Sequence, residues 1–288
     1  IRTFLDEHEL DALLIKSKTM KRYLGTLTGS GCKVLITRDR GFLIMDGRYV
    51  NEAQGREFDL EFRVHEQGKS YLVELERALK ECGCATVGIE ESEISISEYR
   101  NLEGLGFGTT LLGSEMALMR LRKDEAEIAA VQHAVDVADD VYAKVIEQLH
   151  VDMTEFEISA LVHYYSIAAG AEAMSFDTIV ATGERSAMPH GRPTDRRVQA
   201  HEPILIDFGV QINGYQSDMT RVCFLGAPTD RMAHVYETVL NAHLAGIDTI
   251  RCGVVARDVD AAARRVINEA GYGEYFTHGL GHGIGMGG

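Results

Sequence analysis

The sequence predicts a mixed α/β (α+β) protein in two parts: a small α/β domain over residues 1–113 and, over residues 114–288, a curved antiparallel sheet backed by helix pairs. Three observations predict it. Short β-branched runs alternate with helical stretches through the first hundred residues. Glycines then accumulate between Gly104 and Gly113, and after Ser114 the character of the chain changes, which marks a boundary. Beyond it a pattern of helix, helix and strands occurs twice: Glu157, Ile158, Ala160 and Gly170 are echoed by Asp258, Val259, Ala261 and Gly271 at a spacing of 101 residues.

In the first part, Phe4, Leu5, Leu10, Leu13 and Leu14 recur at helical spacing. Residues 34–37 and 41–45, separated by Arg38-Asp-Arg40, read as a hairpin. Asp46-Gly-Arg-Tyr49 turns into another helix, residues 71–80 are helical, and residues 86–89 form a short strand. No clustered set of His, Asp and Glu occurs here, so packing, oligomer contact or covering a site elsewhere is its expected work.

In the second part a long helix begins near Leu121. Acidic residues fill its first turn, and Ile128, Val131, Val135, Ala138, Val141 and Val145 form its apolar stripe. Thr154-Glu-Phe-Glu157 is a capping box that opens a second helix, to about Ala169. Residues 175–181 are strand-like and lead into a loop, 183–193, that carries His190. A hairpin follows, in which Asn213-Gly214 is the turn. Residues 231–250 and 257–270 then supply two more helices.

Composition sets the outer limits. With 45% hydrophobic and 25% charged residues in 288, the chain is an ordinary globular one, long enough for two domains. Its 29 basic and 44 acidic residues leave a net charge of −15, which disfavours nucleic acid or an anionic membrane as partner. No apolar run is long enough to span a membrane, and the opening residues do not read as a signal peptide. The five cysteines are scattered and odd in number, which points to a reducing cytoplasm rather than a disulfide framework. Cys82-Gly-Cys84 has no second Cys or His pair nearby to complete a structural metal site.

The chemistry gathers at the hairpin and at one later loop. Asp207 and Asp218 sit on the two arms among apolar neighbours, where a lone carboxylate is costly unless a cation or hydrogen bonds hold it. Taken alone, the motif also fits aspartates that cap turns or pair with Arg221. The second element is His278-Gly-Leu-Gly-His282-Gly-Ile-Gly, with glycine at every second position from Gly279 to Gly287. So many glycines disfavour a helix, so the two histidines should project separately, one as a ligand and one as a catalytic group. Two carboxylates and an imidazole suit a divalent Mn, Co, Fe or Zn. Such an ion activates water against an unreactive amide, and histidine is the natural proton donor to a departing amine.

These motifs resemble those of the metallopeptidase superfamily M24, which includes methionine aminopeptidase, aminopeptidase P and prolidase and has the pita-bread fold. The hairpin and the histidine loop carry the resemblance, joined by Ser175-Phe-Asp-Thr-Ile-Val, Pro189-His190-Gly and Met119-Arg-Leu-Arg-Lys-Asp-Glu. It covers about residues 114–288, and the preceding domain is similar to that of aminopeptidase P, prolidase and creatinase. The resemblance implies that Asp207, Asp218 and His282 are metal ligands and that His190 and His278 contact substrate and the tetrahedral intermediate. It further implies two divalent ions in the complete protein, manganese first with cobalt, zinc or iron as alternatives. Cleavage of the Xaa-Pro bond at the amino terminus of peptides or in dipeptides, in a cytoplasmic homodimer, follows from the same likeness.

Two departures qualify the expectation. Gly287-Gly288 stands where relatives carry an acidic residue and a second histidine, and the two glutamate ligands of the family lie beyond the histidine loop, past the last residue here. The 288-residue chain is therefore expected to bind metal weakly, at one site at most, and to be inactive. The competing readings are a creatinase-like amidinohydrolase, against which the retained aspartates argue, and a catalytically inactive pita-bread module that binds peptides or proteins.

Overall fold

Four consecutive buried residues decide how the chain opens. The predicted helix ends early, as α1 (Arg2–Glu7), and Ala12–Ile15 forms strand β1 instead, because every one of its side chains is buried and both its edges are paired. The computed structural model describes residues 1–66 and 68–287. They fall into two compact units, Ile1–Lys123 and Asp124–Gly288.

In the first unit α2 (Lys18–Tyr23) follows β1, and the predicted hairpin is β2 (Lys33–Thr37) and β3 (Gly41–Asp46), paired antiparallel. Then come α3 (Val50–Gln54), β4 (Glu61–His65), α4 (Leu72–Glu81), β5 (Thr86–Glu90), α5 (Ile96–Glu103), β6 (Gly108–Leu112) and α6 (Glu115–Leu118). The six strands form one sheet in the order β4-β3-β2-β1-β5-β6. Side chains alternate between its faces, as a pleat requires. Leu13, Ile15, Leu43 and Met45 meet Phe4, Leu5 and Met20, whereas Ala12, Leu14, Phe42 and Ile44 meet Leu72, Leu75 and Leu79. Two covered faces explain why the strands read as unbroken apolar runs.

The glycine-rich stretch read as a boundary holds β6, which pairs with β5 in parallel. Met116 is buried in the same core, with Met119 packed against it. The division consequently falls at 123/124 rather than at 113/114.

The second unit opens with α7 (Glu125–Ile146) and α8 (Glu155–Ala168), each closed at its start by a capping box, Asp124 with Glu127 and Thr154 with Glu157. The buried stripe of α7 is Ala134, Val137, Ala138, Val141 and Val145. Ile128, assigned to that stripe from the sequence, is 58% exposed, because the first turn turns Glu127 inward, where it accepts a hydrogen bond from the Tyr215 hydroxyl at 3.1 Å. Next come β7 (Ala173–Met174), β8 (Ile179–Thr182), β9 (Pro203–Phe208), β10 (Val210–Ile212), β11 (Tyr215–Gln216) and β12 (Met219–Phe224). They build two three-stranded antiparallel sheets, β11-β10-β7 and β12-β9-β8. Residues 175–178, expected to be strand, lie between β7 and β8.

The turn behaves as expected: Asn213 and Gly214 both have positive φ, 51° and 83°, the conformation a tight hairpin needs. The hairpin changes sheets half-way. At Gly209 a side-chain carbon would collide with the carbonyl oxygen of Ser217, and the ladder there is replaced by Ser217 N–H donating to Val210 O at 3.0 Å and Val210 N–H donating to Ser217 Oγ at 3.0 Å. Finally α9 (Asp230–Thr249) and α10 (Ala256–Glu269) pack on each other through Ala242, Ala263 and Ile267. No helix among the described residues is long and apolar enough to cross a membrane.

Candidate active site

The break in the hairpin is where the carboxylates emerge. Asp207 is the fifth residue of β9, opposite Thr220 in the ladder, and Asp218 lies in the gap between β11 and β12. A regular ladder would tie up the backbone around both; the diversion at Gly209 and Ser217 opens a cavity of about 550 Å³ beside them. Asp207, Asp218, His190 and His282 all line it, with Phe176 and Ile284 among its apolar walls.

The histidine loop reaches the hairpin through its backbone. Gln216 N–H donates to Gly285 O at 2.9 Å, and Tyr215 bridges to Met286. This docking brings His282 Nε2 to 3.3 Å from Asp218 Oδ2. The loop is not helical, as its glycines predict. His282 Nδ1 lies 3.0 Å from Gly283 O, and since a carbonyl only accepts, Nδ1 is the donor of that contact. Nε2 then faces the Asp218 oxygen, an arrangement in which a proton or a cation belongs between them.

Asp207 supplies a second sign. Its Oδ1 is buried and has no hydrogen-bond partner among the described residues. Burial pushes its carboxyl above the usual aspartate range; a hydrogen bond with Thr220 opposes this, while the Asp218 charge reinforces it and His190 opposes it. An orphaned carboxylate oxygen and an imidazole nitrogen that faces a second carboxylate, in one cavity, are donor chemistry that fits a divalent ion. Among the described residues, however, no three His, Cys, Asp or Glu side chains are gathered tightly enough to hold one. The fit lies in the chemistry of the donors, with Asp218 and His282 already in contact.

His278 stands apart from the other four. Its ring is exposed, it does not line the cavity, its Nδ1 donates to Gly279 O at 2.8 Å, and it packs edge-on against Phe276. Its stretch is held from α10: Arg264 donates to the carbonyls of Phe276 and His278, each at 2.8 Å, while Asp260 accepts from Arg264 and from Leu280 N–H. Arg221 pairs with Asp139 at 3.7 Å and leaves the hairpin aspartates without that partner. The sequence reading missed Asp177 and Arg192, which line the cavity and pair at 2.8 Å. The signal was present, since Asp177 lies inside one quoted motif and Arg192 directly follows Pro189-His190-Gly191.

Residues 129–287 match the model of metallopeptidase family M24, and residues 1–123 that of the creatinase/prolidase N-terminal domain. The chain belongs to family M24, with a creatinase-like amino-terminal domain before its pita-bread domain. Among its relatives is the Xaa-Pro dipeptidase of Pyrococcus horikoshii, 32% identical over 98% of this chain and 79% of that protein. Two solved structures resemble it throughout. One is the Xaa-Pro dipeptidase from Bacillus anthracis, with a TM-score of 0.94 and 32% identity over 99% of this chain and 80% of that one. The other is the X-Pro aminopeptidase from Thermotoga maritima, with a TM-score of 0.89 and 36% identity over 97% and 81%.

Proposed function

We propose that the protein is an Xaa-Pro peptidase that hydrolyses the bond before proline at the amino terminus of peptides or in dipeptides. The observation that carries the reading is the cavity shared by His190, His282 and two aspartates, one of them with an orphaned buried oxygen. Its volume suits a small peptide, and its relatives' names supply the substrate class.

Asp207, Asp218 and His282 would hold the metal, manganese before cobalt, zinc or iron. When bound, the metal acidifies water and polarises a carbonyl. The chain's own groups do the remainder. His190 offers an imidazole to the substrate from the cavity wall, to hydrogen-bond the oxygen on which charge develops. His278, whose Nδ1 is engaged by Gly279 O, is the second proton-carrying imidazole, on the loop that positions His282. We further infer a cytoplasmic homodimer; the free thiols of all five cysteines support the first part, and sedimentation tests the second.

Calorimetric titration with Mn²⁺ tests the metal reading: saturable uptake that Asp207→Asn and His282→Ala each weaken is expected, and uptake that neither alters contradicts it. NMR tests the substrate. Ala-Pro should move the ring signals of His190 and His282 at a concentration where Ala-Gly leaves them in place; equal responses would sink the proline reading.

A further inference from the structure

The His190 imidazole is exposed and makes no hydrogen bond among the described residues. Its place therefore depends on the backbone that carries it, and that backbone is tied at both ends to one buried carboxylate. Glu155, the first residue of α8, is 0% exposed. Its Oε1 accepts from Thr182 N–H at 2.8 Å and from the Thr182 hydroxyl at 3.0 Å, where β8 enters the loop. Its Oε2 accepts from Thr194 N–H at 2.9 Å and from the Thr194 hydroxyl at 2.7 Å, where the loop leaves. Between them, Arg185 Nε lies 3.3 and 3.2 Å from the two oxygens, and the same guanidinium donates to Arg192 O at 2.7 Å.

The backbone of α8 repeats the grip. Glu155 N–H donates to Arg196 O at 3.0 Å, and Phe156 N–H donates to Thr194 O at 3.1 Å. These are first-turn amides that have no partner inside the helix, and the helix dipole favours the anion placed among them. The side-chain bonds of Glu155 go to residues 182, 185 and 194, which all frame the same loop.

We propose that Glu155 is the positioning residue of the His190 loop, a buried anion that fixes the separation of its two ends and, through Arg185, the carbonyl two residues after His190. This rests on the reading of His190 as a substrate-facing histidine. The anion is required because each oxygen faces a backbone N–H, and a backbone donor cannot reverse. In Glu155→Gln one of the two amides, Thr182 or Thr194, meets an NH₂ group and loses its acceptor.

Hydrogen exchange followed by mass spectrometry on the whole chain tests this. Glu155→Gln should speed exchange of amides 183–194 roughly ten- to a hundredfold, the factor implied by one buried donor left unsatisfied, while α7 and β9 keep their rates. The ring NMR signals of His190 should move toward those of a free imidazole, with those of His133 on α7 unchanged. Uniform acceleration across the unit, or an unaltered loop and His190 signal, overturns the proposal. If that variant fails to fold, Arg185→Ala keeps the four bonds to Thr182 and Thr194 and removes the guanidinium that joins Glu155 to the Arg192 carbonyl; faster exchange confined to residues 187–193 supports the proposal, and no change there overturns it. His190→Ala separates the two readings: if His282 still responds fully to Ala-Pro in that variant while Glu155→Gln frees the loop, the substrate role of His190 fails and the anchor stands.

Discussion

At the scale of single residues, the site depends on a few atoms whose neighbours are unusual. Asp218 faces His282 Nε2, so replacing it with Asn removes the charge and leaves the shape. Asp218→Asn should weaken Mn²⁺ binding at least about tenfold by calorimetry, with little change in thermal stability. Gly209 has no room for a side chain. Gly209→Ala should destabilise by on the order of 3 kcal/mol in urea unfolding, because the obstacle is the backbone of Ser217 and cannot move aside. Asp260 gives a pH test. Its hydrogen bonds with Arg264 and with Leu280 N–H hold its carboxyl below the usual range. A depressed folded value means that its grip on the histidine loop is complete above the unfolded value of about 4 and is lost as the pH falls through the folded one. Protection of the Leu280 amide, measured against the intrinsic exchange rate at each pH, should accordingly fall on acidification, and in Asp260→Asn it should be low already at neutral pH.

At the scale of elements, local signals were legible where they were strong and short in range. Both capping features of α8 were visible in Thr154 and Glu157, and Thr154→Ala should cost about 1 kcal/mol by thermal unfolding. The Asn213-Gly214 turn and the β2–β3 hairpin could be read for the same reason. What escaped was set by distant partners. Leu10, Leu13 and Leu14 fit a helix by spacing alone, and only pairing with β2 and β5 makes the segment after Leu10 a strand. Ile128 is exposed because a hydroxyl 88 positions away claims the inward place for Glu127. Of the five proposed site residues, four meet in one cavity, because Asp207, Asp218, His190 and His282 lie on segments whose turns and glycines were themselves readable. His278 does not, since α10 holds its part of the loop by backbone carbonyls, for which a sequence gives no sign. The outer face of α9 remains as apolar as the sequence: Val239, Leu240, Leu244 and Ile247 are 44–55% exposed. A hydrophobic dye should bind there, and Leu240→Glu combined with Ile247→Lys should abolish most of the fluorescence.

At the scale of the whole molecule, two units with separate cores predict two unfolding events. Residues 1–123 expressed alone should keep their sheet by circular dichroism, since both faces of it are covered from within the unit. Divalent cation should raise only the second transition, by about 1.4 kcal/mol at ten times the dissociation constant. The contact between Asp218 and His282 gives this a geometric form. All of β12, α9 and α10 lies on the chain between those two side chains, so an ion gripped by both works as a removable cross-link around the entire carboxy-terminal helix pair. Chelation would then lengthen the tether of that pair without altering its interior, and proteases should report the difference as cuts in the linkers flanking α9 and α10, protected with cation and exposed without it.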